Sequence, residues 1–159
     1  MRLRALATTT LAAALLAGTA GCGVLLEPAT LQSYSPSDGV NAEVGDVSVR
    51  NALLVANSSG DGALVMTFVN SGDALVFVNV ELRGARNLSA SVAAYPGITK
   101  VGIADDNPLV FTNAEVFAGT YAEVYFQYGN FEGALATVPV LDGTEVIYAP
   151  YAPNERESN

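Results

Sequence analysis

The sequence predicts an all-β protein, an antiparallel β-sandwich behind an N-terminal signal helix, and three observations carry this. Eight or nine short runs alternate apolar and polar residues with a period of two, as half-buried strands do. Clusters of Gly, Asn, Asp, Ser and Pro separate the runs and mark frequent turns. No helical period follows the first 21 residues, which leaves a sandwich as the natural architecture. The chain has 159 residues, half of them hydrophobic and 14% charged. That is enough for one domain and too apolar for a disordered chain.

The chain opens on a leader. Arg2 and Arg4 precede an uncharged stretch from Ala5 to Gly21, in which Leu6, Leu11, Leu15 and Leu16 sit among small residues. A basic start, an apolar middle and small residues behind it make a secretory signal. Its 17 uncharged residues lie at the lower limit for spanning a bilayer, so residues 1–21 read as a signal peptide.

Thr19-Ala20-Gly21-Cys22 resembles the lipobox of bacterial lipoproteins, with threonine where leucine is usual. The resemblance implies that Cys22 becomes the lipidated N-terminus; small neighbours leave its thiol open to diacylglycerol transfer. Cys22 is the only cysteine, and lipidation explains why an exported chain carries no partner for it. Two other readings use the same residues: cleavage after Ala20, leaving a free thiol, and an uncleaved anchor. Cleavage before Cys22 leaves 138 residues, with 5 basic against 16 acidic side chains and a formal charge of −11. Nucleic acid and anionic lipid are therefore poor electrostatic partners, and the membrane is reached through acyl chains.

Residues 22–43 read as a flexible tether, because Pro28, Pro36, Ser33, Ser35, Ser37 and Gly39 follow no period. The domain is expected over 44–149. Val47, Val49, Leu53 and Val55 alternate with Ser48, Arg50 and Ala52, and Asn57 to Gly62 breaks the run. Ala63 to Val69 is a short apolar strand. Ala74 to Leu82 alternates again, and Leu88, Ala90 and Val92 repeat that phase. Val101 and Ile103 follow Pro96-Gly97, then Leu109, Phe111, Val116 and Phe117. Ala122, Val124, Phe126 and Tyr128 alternate with Tyr121, Glu123, Tyr125 and Gln127. Ala134 to Leu141 and Thr144 to Tyr148 flank Asp142-Gly143, a pair suited to a tight hairpin. Pro139 should stand at an edge or bulge, since it donates nothing to a ladder. Residues 150–159 read as a frayed tail.

Absences narrow the chemistry. There is no histidine, which removes Ser-His-Asp and Cys-His catalysis. The one cysteine is assigned to lipid, so thiolate zinc sites and disulfide exchange are removed as well. No phosphate-binding glycine motif appears. Carboxylates remain, but they lie mostly in turns, and an enzyme is not expected. Asp105-Asp106-Asn107 lacks the spacing of a calcium loop and reads as a solvated turn. Tyr121 and Tyr125 share the outward face of one strand, either as cross-strand partners or as an aromatic binding patch.

The stretches DGVNAEVGDVSVRNALLV (38–55), ALVMTFVNSGDA (63–74) and VFAGTYAEVYFQYG (116–129) with ATVPV (136–140) resemble actinobacterial lipoproteins related to the PCu(A)C-like periplasmic copper chaperones. The resemblance covers about residues 40 to 150. It implies a cupredoxin-like or immunoglobulin-like β-sandwich outside the cytoplasm. It carries over no copper ligand: histidine is missing, and Met66, the one methionine beyond the leader, lies among apolar neighbours where a core role fits. The expectation is a lipid-anchored, non-catalytic binding or structural module of the cell envelope, with no cofactor. Its partner is an envelope protein or a small-molecule ligand; the alternative is a chaperone relative with an altered metal role.

Overall fold

The computed structural model describes residues 37–84 and 86–155. The expected signal helix, Cys22 and residues 22–36 of the expected tether lie outside them. Within the described residues run nine strands: β1 (Val40–Val44), β2 (Val47–Ala56), β3 (Gly62–Asn70), β4 (Val76–Arg83), β5 (Leu88–Ala94), β6 (Gly97–Val101), β7 (Val110–Phe111), β8 (Tyr121–Gln127) and β9 (Ala134–Asp142). Among these residues no helix is long and apolar enough to cross a membrane. The fold is all-β, as the alternation predicts.

Pairing follows the order β5-β4-β8-β9-β2-β3-β6, with β1 added to β2 and β7 to β3. All pairs are antiparallel except one. The end of β9 turns from β8 to β2 and pairs with it in parallel, Leu54 with Val140 and Ala56 with Asp142. This switch joins the two layers into one sheet that curls almost into a barrel. Pro139 stands at the switch and not at an edge: its partner in β8 is Tyr121, and the first β2 partner comes one residue later.

The core lies between the layers. Val78, Val80 and Leu82 of β4, Val124 and Phe126 of β8, and Phe68 of β3 are fully buried. Burying each such side chain contributes about 1.5–3 kcal/mol. Met66 is also buried there, 2% exposed.

In β2 the expected phase fails half-way. Val47 and Val49 point into the core, but Asn51 adopts φ +52 and the register with β3 shifts between Arg50 and Leu53. After this bulge Ala52, Leu54 and Ala56 face the core. Leu53 and Val55 then turn to the opposite face, where they are buried as well. A Cβ on Gly143 would stand 3.7 Å from Val55 Cγ1, so the chain beyond β9 covers that face.

Three boundaries move for the same reason, that a neighbour completes each segment. β1 begins at Val40, inside the stretch read as tether, because Ala42 and Val44 bury against β2. Its turn uses Gly45 at φ +54, where any Cβ would strike the Phe131 ring and the Tyr128 hydroxyl. The hairpin expected at Asp142-Gly143 does not form. Residues 134–139 of β9 pair with β8, 140–142 with β2, and Val140 bonds Gly119 and Thr120 on the β8 side, so no edge is left for a returning strand. Residues 144–148 instead make a turn that leads into a short 3-10 segment, Ala149–Tyr151. The expected frayed tail is folded at least to Glu155, with Pro153 buried.

Candidate functional site

The β8 tyrosines share the outer face, as their spacing requires, but their surroundings differ. Tyr125 sits between Glu81 of β4 and Leu135 of β9. The Arg83 guanidinium lies 4.5 Å from its ring centroid and donates from Nε to Glu81 Oε1 at 3.2 Å. A Cβ on Gly133 would collide with the Tyr125 hydroxyl, so the ring rests on bare backbone. Tyr121 lies across from Pro139 and is 73% exposed. Four residues of strand place their Cα atoms about 13 Å apart. They do not form one stacked patch.

Asp105, Asp106 and Asn107 diverge. Asp105 approaches Lys100 Nζ at 3.9 Å, Asp106 takes a left-handed conformation, and Asn107 Nδ2 donates to Lys100 O. The segment is a turn. Among the described residues no three His, Cys, Asp or Glu side chains group as a metal site.

A cleft of about 650 Å³ lies at the end of the sandwich where β2 and β9 finish. Ligand sites commonly have this size and a mostly apolar wall. Here Ala56, Phe117, Ala118, Ala149, Ala152 and Pro153 supply that wall. Asn57, Ser58, Asp142, Thr144, Asn154 and Glu155 supply its polar groups, and among the described residues no lysine or arginine lines it.

A buried polar knot holds the rim. Asn57 Oδ1 accepts the N–H groups of Ser59 at 3.0 Å and Asp61 at 2.9 Å. Its Nδ2 donates to Asp61 Oδ2 at 3.3 Å and to Asn154 O at 2.8 Å. Asp61, 2% exposed, accepts the Asn113 N–H at 2.7 Å. The Asn57 amide thus fixes its own loop through both polar atoms and ties the C-terminal segment to it. Glu155 closes the rim by accepting from Ser58 N at 3.1 Å and Ser58 Oγ at 2.7 Å. Those bonds from the Ser58 backbone and hydroxyl hold its carboxyl below the usual range. Asp142 is held low likewise by the Thr144 hydroxyl and N–H. The cleft therefore presents two ionised carboxylates beside the Phe117 ring.

A second hollow of about 250 Å³ shares Ala118, Asp142 and Thr144 and reaches Glu145 and Tyr148. Tyr148 donates its hydroxyl to Asp38. Burial and then that carboxylate push the phenol up to about 12.

Cys22 lies outside the described residues. The sequence reading passed over Asn57, Asp61 and Glu155, because turn-forming residues and a polar terminus look alike whether or not they meet. Only the apolar Tyr151-Ala152-Pro153 within that terminus hinted that it packs. No protein-family model and no curated protein matches the chain.

Proposed function

We propose that this chain is a lipid-anchored protein of the extracytoplasmic membrane face, acting as a non-catalytic binding module whose ligand sits in the cleft between Phe117 and Glu155. The anchor reading rests on the leader and the lipobox-like run ending at Cys22. The binding reading rests on one observation: a cleft of about 650 Å³ with an apolar wall and, among the described residues, carboxylates as its only charged groups. The ligand is a neutral or cationic small molecule, since an anion would meet Asp142 and Glu155 with no counter-charge among the described lining residues. Copper handling finds no soft donor among the described residues, where the one methionine is buried.

Two measurements test the parts separately. Cys22→Ser should abolish acyl labelling and membrane partitioning; unchanged partitioning rejects the anchor. An NMR screen of neutral, cationic and anionic small molecules against the full chain should move the Ser58, Asp142 and Thr144 amides with neutral or cationic compounds, and Phe117→Ala should weaken the effect. Shifts confined to the Tyr121 face would reject the cleft.

A further inference from the structure

Val146 and Ile147 are 87% and 65% exposed, and Val146 is the most exposed large hydrophobic among the described residues. A single exposed aliphatic needs no explanation. Two in succession, at the tip of a fixed turn, form a small apolar projection. The turn's backbone is satisfied from within: the N–H groups of Tyr148 and Ala149 both donate to Glu145 O at 2.9 Å. Asp142 Oδ1 takes the Thr144 N–H at 3.0 Å. Nothing in this geometry draws the two side chains inward.

We infer that the Val146–Ile147 tip inserts into the interface of the bilayer to which Cys22 attaches the chain. The inference rests on the lipid-anchor reading. Its independent support is where the tether ends. The next residue after the tip, Tyr148, donates its hydroxyl to Asp38, and residues 23–37 alone separate Asp38 from Cys22. The tether therefore joins the domain beside the tip, and its length, at most roughly 55 Å fully extended, lets that end reach the lipid. Tyr148, with an apolar ring and a bonded hydroxyl, is the kind of side chain that settles at a membrane interface.

Charge decides between a bilayer and a second copy. Asp38, Asp142 and Glu145 surround the tip, and two such ends brought together would oppose six carboxylates in close quarters. A zwitterionic lipid surface raises no such repulsion, whereas an anionic one weakens the contact. The tip therefore docks through apolar contact, with acyl chains supplying most of the hold.

The test uses the acylated full chain in phosphatidylcholine vesicles, carrying an environment-sensitive fluorophore on Ile147→Cys or, as control, on Asn130→Cys. Position 130 lies in the turn before β9, at the opposite end of that strand from Asp142. Acylation of Cys22 leaves the introduced thiol as the reactive one. The expected result is a several-fold rise and blue shift of emission at 147, none at 130, and loss of the effect at 147 with added Val146→Asp. Emission at 147 as wet as at 130, on chains shown by mass to be acylated and vesicle-bound, overturns the tip while leaving the anchor intact. A free Cys22 overturns the anchor and the tip together. Protection at 147 that persists in solution without vesicles assigns the tip to a second copy and overturns the lipid contact.

Discussion

The Asn51 side chain accepts the Gly39 N–H at 2.8 Å, at the residue where β2 exchanges its inward face. Asn51 also donates its own N–H to Asn41 Oδ1 at 3.0 Å, so the bulge is tied to the strand beside it. Its φ of +52 is a conformation that asparagine tolerates and alanine resists by about 1 kcal/mol; the lost hydrogen bond is worth about 1 kcal/mol more. Asn51→Ala should therefore lower stability by about 2 kcal/mol and Asn51→Gly by about 1 kcal/mol. Guanidinium unfolding gives both values. A glycine variant less stable than the alanine variant would remove the backbone argument.

The two β8 tyrosines should separate in a mutational test. Tyr125→Ala removes a ring held between Arg83 and Gly133, with a cation–π term of about 0.5–1 kcal/mol and its packing besides. A total loss of about 1–2 kcal/mol is expected. Tyr121→Ala, at a position 73% exposed, should stay within about 0.5 kcal/mol. Equal losses at both positions would mean that Tyr121 has a structural partner of similar weight.

Much of the fold was legible because one rule, period-two alternation, holds wherever a strand has one wet face. β4 and β8 obey it: Val78, Val80 and Leu82, then Ala122, Val124 and Phe126, turn inward without exception. The rule misleads at β2, where the chain beyond β9 buries the second face and a bulge inverts the phase. It misleads again at Thr144–Tyr148, whose pattern suits a strand but whose chain neighbour, β9, already pairs with β8 over 134–139 and with β2 over 140–142. The cleft was not legible at all. It is built by Asn57, Asp142 and Glu155, which local sequence describes as turn and terminus, and only long-range pairing such as Asn57 with Asn154 assembles them.

Tyr148 should titrate late. Its phenol is pushed up to about 12 by burial and by the Asp38 carboxylate, against about 10 for a free tyrosine. A raised value means that the folded chain holds this proton more tightly than the unfolded chain. The associated stability is complete below about pH 10 and is lost as pH rises from there through about 12. Asp38→Asn should bring the tyrosinate transition down, toward the ordinary value. Absorbance at 295 nm follows it, with Tyr148→Phe identifying the phase. A transition unmoved by Asp38→Asn would assign the shift to burial and the Glu145 charge.

Glu155 should act as an acid-sensitive clasp on the cleft. Its carboxylate accepts the Ser58 N–H and hydroxyl, with Ser59 Oγ at 3.3 Å, and the Ser58 bonds are the main cause of its lowered pKa. The unfolded chain takes up this proton near pH 4.3, before the folded chain does. The clasp's contribution is therefore complete above that pH and is lost as pH falls through the lower folded value. The Ser58 amide resonance should shift with a midpoint below 4.3, and Glu155→Gln should abolish that titration without unfolding the domain, because the carboxylate sits at the solvent-facing rim. Release of the clasp loosens the rim at Ser58 while Asn154 stays tied to Asn57, so a neutral ligand should exchange faster in Glu155→Gln than in the parent chain. A Ser58 midpoint at or above the ordinary glutamate value would mean that the carboxylate makes no such bonds in solution.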